Sequence, residues 1–175
     1  MNEADAIALL IRSGCSSEVI EHCRIVAGLA KNIAASINEC ANKKGKTPGV
    51  DINAVFIGGL LHDIGRSRVQ DIGHAVEGAR IAVDNGLDEK IVSIIERHIG
   101  AGITKDEARE LGLPARNYLP VAIEEKIVAH ADNLVFGERI GSMGEVISNL
   151  KERQFDEKLI RRFVDLHNEI SAMLC

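Results

Sequence analysis

Apolar residues recur at helical spacing along nearly the whole chain, and short alternating strand patterns with turn dipeptides are absent. Residues 3–12 place Ala4, Ile7, Ala8 and Ile11 on one face of a first helix. Ser16 or Ser17 can cap a second, with Glu18 favouring its start. That helix carries Ile20, Val26, Ala30, Ile33, Ala34 and Ile37 in register and runs to about Lys44, where Gly45 and Pro48 end it. Asp51 can cap a third helix over 52–63 that is apolar on nearly all sides and therefore central. Residues 65–73 read as a loop. Further helices are predicted over 74–85, 89–98, from the Thr104–Glu107 capping box to Leu111, and over 121–136. Gly137, Gly141 and Gly144 loosen the chain before two C-terminal helices, 145–153 and 156–174, which place the C-terminal helical region at about 142–174. The expectation is one all-α domain over residues 1–175, a bundle of seven to nine helices, without internal repeat or linker.

Composition narrows the function classes. Aromatics make up 3% of the chain and there is no Trp, so the core is aliphatic and base stacking is not expected to be the main device of recognition. The net charge of −5, with no basic run, disfavours a stable nucleic-acid complex. No apolar run approaches the roughly 20 residues of a membrane span, and no signal-peptide pattern is present, so a cytoplasmic protein away from the membrane is expected. Cys15, Cys23, Cys40 and Cys175 form no Cys-x-x-Cys pair and read as free thiols in a reducing compartment. The amphipathic last helix can pack on its own core or on a second copy in a homodimer.

Candidate chemistry lies with the histidines, of which there are six. His62 and Asp63 are adjacent at the predicted end of the buried third helix. His22 lies early on the second helix, His74 opens the fourth and His98 ends the fifth. Asp132 sits among Ile127, Val128 and Leu134, where a carboxylate is costly unless it joins a buried ion pair, caps a helix or binds a metal. Imidazole nitrogen and carboxylate oxygen together suit divalent first-row metals, and the two oxygens of Asp63 can bridge two ions. Two such ions can clamp a phosphoryl displacement and furnish hydroxide at neutral pH.

The ordered set His22, His62-Asp63 followed by Ile64-Gly65, and a distant Asp132 resembles the HD superfamily of metal-dependent phosphohydrolases. The string HDIG matches its commonest form. His74 in GHAVEGARIA and His98 in RHIGAGIT match the extra histidines of its di-metal branches. The chain departs from the cyclic-di-GMP branch, with no Gly-Tyr-Pro signature and Ile at position 99. It is most similar to small stand-alone archaeal or bacterial members.

The resemblance implies a metal-binding core at about 16–136, with His22, His62, Asp63 and Asp132 on a first metal and Asp63, His74 and His98 on a second. It implies one or two divalent ions (Mn, Fe, Ni, Co or Zn, with Mg possible). The activity implied is hydrolysis of a phosphate ester or anhydride of a nucleotide or related small molecule through a metal-bound hydroxide. Asp63 and Arg66 are then the catalytic candidates. Arg66 either contacts a phosphoryl oxygen or is a solvated loop arginine. The alternatives are a di-iron oxygenase on the same scaffold and a metal- and nucleotide-binding module without turnover. Glu77 is either a partner orienting His74 or a surface carboxylate. Arg24 points away, Arg97 is a surface charge, His130 is roughly 200° around the helix from Asp132, and His167 is exposed.

Overall fold

The computed structural model describes residues 1–47 and 49–175, so the expected stop at Pro48 lies outside the described residues. The described residues form nine helices: α1 (Glu3–Ser13), α2 (Ser17–Lys43), α3 (Ile52–Leu61), α4 (His74–Asp84), α5 (Glu89–Glu96), α6 (Lys105–Glu110), α7 (Ile123–Asn133), α8 (Met143–Glu152) and α9 (Glu157–Ala172). The caps lie where short polar side chains stand. Ser16 accepts from the Val19 N–H, Asp51 from Ala54 and Asp88 from Lys90, and Thr104 with Glu107 closes a capping box.

Four features of the fold differ from expectation. The buried face of α1 is Ala6, Leu9 and Leu10, while Ile11 remains 60% exposed. Both stripes have helical period, and the one carrying two leucines buries more apolar surface. The predicted helix 121–136 gives way at Leu134 to a two-stranded hairpin, β1 (Val135–Phe136) and β2 (Arg139–Ile140), turning at Gly137 with φ 63°. Next, Ser142 and Glu145 close a capping box, so α8 begins at Met143 and contains Gly144. Residues 65–67, expected to open a loop, wind with Ile64 into a 3-10 turn.

The core has two main parts. One gathers Val26, Ala30, Val55, Ile127 and Val128 with Phe163, Leu166 and Ile170 of α9, so the last helix packs on its own chain. The other gathers α1 with Leu60, Leu61, Ile64, Ile91 and Ile95. The central α3 approaches its neighbours closely through its glycines. A Cβ at Gly59 would lie 2.9 Å from the Ala27 Cα, and one at Gly58 would lie 2.7 Å from the Ile94 side chain. At Gly65 a Cβ would fall 1.9 Å from the His74 carbonyl oxygen, so this glycine serves the approach of α4 as well as the turn.

The cysteines correct the expectation of four free thiols. Cys40 at the end of α2 is joined to Cys175 by a disulfide with Cα atoms 5.4 Å apart. Cys15 and Cys23 carry free thiols, and burial pushes Cys15 up to about 11. No helix among the described residues is long and apolar enough to cross a membrane.

Candidate metal centre

The six side chains singled out in the sequence meet at one place. His62 still has helical backbone (φ −54°, ψ −38°), whereas Asp63 has left it (φ −98°, ψ 13°). This opening of the last turn lets two adjacent side chains face one site instead of diverging by about 100°. From α2, His22 Nε2 lies 3.0 Å from Asp132 Oδ1 of α7, and His62 Nε2 lies 3.4 Å from the same oxygen. Asp63 turns Oδ2 toward His62 Nε2 at 3.7 Å and His22 Nε2 at 4.0 Å. Its Oδ1 faces His74 Nε2 at 3.0 Å and His98 Nε2 at 3.6 Å. Asp63 therefore stands between two groups of donors, His22–His62–Asp132 on one side and His74–His98 on the other.

Three of the imidazoles are anchored by backbone. The Nδ1 atoms of His62, His74 and His98 lie 2.8, 2.6 and 2.7 Å from the carbonyl oxygens of Gly59, Asp71 and Ile95. A carbonyl accepts only, so each Nδ1 carries a proton, and in the neutral ring each Nε2 presents a lone pair inward. His62 and His98 are buried, His74 nearly so. Two consequences follow. His74 Nε2 and His98 Nε2 face one another at 3.1 Å. The 3.0 Å approach of His74 Nε2 to Asp63 Oδ1 is likewise a meeting of two acceptors, and Asp63 Oδ1 and His62 Nε2 are buried without a hydrogen-bond partner. Such contacts repel unless a proton or a metal cation lies between them. Donor atoms about 2.0–2.2 Å from one ion lie roughly 3 Å from each other, the spacing seen here. The residues present fit a divalent metal, and two groups of three, His22–His62–Asp132 and His62–Asp63–His98, have donor atoms close enough to hold one.

The electrostatics agree. Burial works against charge on His62, yet Cys23, Asp63 and Asp132 around it hold its pKa well above the usual imidazole range, so without a metal its Nε2 also takes a proton, which a bound metal would displace. Burial also opposes charge on both carboxylates, but the neighbouring imidazoles, His62 foremost, keep Asp63 and Asp132 ionised far below the usual carboxylate range. Burial pushes His98 down, keeping it neutral. A site with two buried carboxylates and imidazoles held to face them is one that favours a cation.

Arg66 is neither free in solvent nor remote. Its Nε donates to Asp63 Oδ2 at 2.6 Å and its Nη1 to the Gln70 carbonyl at 3.3 Å, with its side chain about one-third exposed. Glu77 does not reach His74. It pairs with Arg68 at 2.7 Å and Arg80 at 3.2 Å, and the orienting contact comes from the Asp71 carbonyl. Arg97 is half-buried and not a surface charge: its Nη1 bonds both oxygens of Glu125 at 3.0 Å, while Glu125 also accepts from the Val121 N–H at 2.6 Å. Arg24 is exposed as expected. His130 is buried on another face of α7, 5.2 Å from the His167 ring, and His167 is partly covered in consequence. A position not foreseen is Asn133, whose side-chain amide donates to the Gly100 carbonyl at 2.9 Å, tying the residue after Asp132 to the turn after His98. Only its adjacency to Asp132 signalled it.

A bundle of helices converging four imidazoles and two aspartates on one point defines a histidine–aspartate metal-centre class. The chain belongs to the HD domain family, whose model matches residues 19–137 and thus every one of the six. An uncharacterised protein of Methanocaldococcus jannaschii is 48% identical over 166 residues, covering 94% of this chain and 95% of that protein. A tRNA (cytidine(56)-2′-O)-methyltransferase of Thermoplasma volcanium is 42% identical over 99% of this chain, which spans only 48% of that protein's length. Among solved structures, the HD domain of the phosphodiesterase PgpH of L. monocytogenes in complex with cyclic-di-AMP shares the fold. Its TM-score is 0.52 and its identity 18%, over 97% of this chain and 95% of that one.

Proposed function

We propose that this protein is a metal-dependent phosphohydrolase acting on a phosphate ester or anhydride of a nucleotide or related small molecule. The observation that carries the reading is the inward set of imidazole and carboxylate donors around Asp63, with His62 Nε2 and Asp63 Oδ1 buried and unpartnered. In this reading His22, His62, Asp63 and Asp132 hold one divalent ion, and Asp63, His74 and His98 hold a second. A divalent ion held there supplies Lewis acidity toward a phosphoryl oxygen and lowers the pKa of water. The protein's own part is positional. The carbonyls of Gly59, Asp71 and Ile95 keep the Nδ1 protons outward and the lone pairs inward. Arg66 holds Asp63 by one edge and offers its remaining N–H groups to an anionic substrate at the partly exposed side of the site. The cyclic-di-AMP complex of the PgpH domain supports a phosphodiester-type substrate for this fold. The methyltransferase relatives are about twice this chain's length and leave its substrate open.

The test is metal content per chain after gentle purification, followed by phosphate release from nucleotides and dinucleoside polyphosphates with Mn²⁺, Fe²⁺, Ni²⁺ or Mg²⁺. Turnover with two ions per chain supports the full six-residue set, and one ion per chain removes His74 and His98 from it. Oxygen consumption without phosphate release would replace the reading by a di-iron oxygenase.

A further inference from the structure

A groove of about 680 Å³ runs between the turn after His98, the β1–β2 hairpin, α8 and α9. Its wall is continuous in sequence with the metal centre. Ile99 follows His98, Asn133 follows Asp132, and both line it. It is also where the aromatics of this aromatic-poor chain are concentrated. Of its four phenylalanines, Phe136, Phe155 and Phe163 line this groove. Phe163 is buried against Gly100, Phe136 is partly buried, and Phe155 is 39% exposed. Phe155 follows Gln154, the one non-glycine residue with left-handed backbone (φ 59°) among those described, so the α8–α9 turn is bent there. Its polar side chains are the amides of Asn133 and Asn149, the Glu107–Arg162 ion pair, Glu110, Asp156 and Arg153, whose guanidinium lies 5.0 Å from the centre of the Phe155 ring.

We propose that this groove is the subsite for the planar heteroaromatic base of the substrate, with the phosphate at the metal centre. The inference rests on the phosphohydrolase reading for the second half of that statement only. Its volume falls in the range of small-molecule pockets, about 300–1,000 Å³, and its mainly apolar and aromatic wall, with polar and charged side chains set into it, is of a kind with theirs. Rings stack on any base face, while side-chain amides read its edge. The low aromatic content of the chain therefore does not argue against stacking, because what matters is where the few rings lie.

The experiment uses the full chain loaded with Zn²⁺, which is diamagnetic, and the four 5′-mononucleotides, their nucleosides, ribose 5-phosphate and inorganic phosphate as probes. We expect base protons of at least one nucleotide and its nucleoside to shift upfield in the NMR spectrum, as rings stacked on phenylalanine do. That nucleotide binds about tenfold or more tightly than ribose 5-phosphate. Phe155→Ala and the milder Phe136→Leu each weaken it by about five- to thirtyfold. Asn149→Trp, at an exposed position, plugs the groove and removes the base shifts. Inorganic phosphate binds alike to all three variants. In Asp63→Ala the nucleoside shifts persist although metal is lost, so the groove and the hydrolase reading fail separately. Equal binding of ribose 5-phosphate and every nucleotide, or variants indistinguishable from the parent, would overturn the proposal. So would a dimer in sedimentation that Asn149→Trp converts to monomer, which would give the groove to a second copy.

Discussion

Two histidine clusters share α7, two residues apart, and they behave oppositely. Asp132 faces His22 and His62, and Asp63 opposite faces His74 and His98; three of these four imidazoles are held by backbone carbonyls. His130 faces only His167, with no carboxylate between them and His167 Nδ1 buried without a partner. Burial lowers the pKa of His130 to about 4, with His167 adding to the effect, whereas the carboxylates near His62 reverse the effect of burial and raise it. Burial of histidine is thus not the signature of a site. Fixed negative charge and a fixed tautomer are.

The largest break in this contrast is Asp63→Ala. It removes the carboxylate common to both donor groups, and we expect metal affinity to fall by more than the roughly 10–100-fold typical of outer contacts, with phosphate release lost. Metal analysis and a turnover assay check it; full activity in the variant ends the hydrolase reading.

The His130 cluster should respond to acid instead of to metal. Its folded pKa of about 4 lies below the ordinary 6.5, so the unfolded chain binds the extra proton first as pH falls. Stability present above about pH 6.5 is therefore lost on descent through pH 4, on the order of 3 kcal/mol from this group. His130→Leu should flatten that part of the pH profile in urea unfolding and leave metal content unchanged.

Asn133→Ala sharpens the comparison from the other side. It keeps every proposed donor but frees the tie between the α7 end and Gly100. A loss of about tenfold in metal affinity is expected, read by competition with a chelator. The smallest effect belongs to Glu77→Gln. Its carboxylate pairs with Arg68 and Arg80 and not with His74, so metal content should not change and stability should fall by at most about 1 kcal/mol.

Much of this was legible in the chain. Caps at Ser16, Asp51, Asp88 and Thr104 announce themselves by residue type, and the order His22, His62-Asp63, His74, His98, Asp132 pointed to side chains that do meet in the fold. Other features carry no local signal. The anchors of the imidazoles are backbone carbonyls, which every residue has. The half-buried Arg97–Glu125 pair joins residues 28 apart, so Arg97 reads as a surface charge until the helices pack. The α1 face was misread because two stripes compete on one helix and only tertiary burial chooses. The hairpin at 135–140 is too short to show alternation.

The Cys40–Cys175 bond makes most of this protein a ring. Five of the six donors, His62, Asp63, His74, His98 and Asp132, lie inside the 135-residue span it closes, and His22 stands outside on the α2 arm. Unfolding the oxidised chain opens the ring without cutting it. In the chain-entropy account a closure of that length is worth about 5 kcal/mol. Reduction would turn a lasso into a line, and five of the six donors would lose the loop that keeps them within reach of one another when the helices come apart.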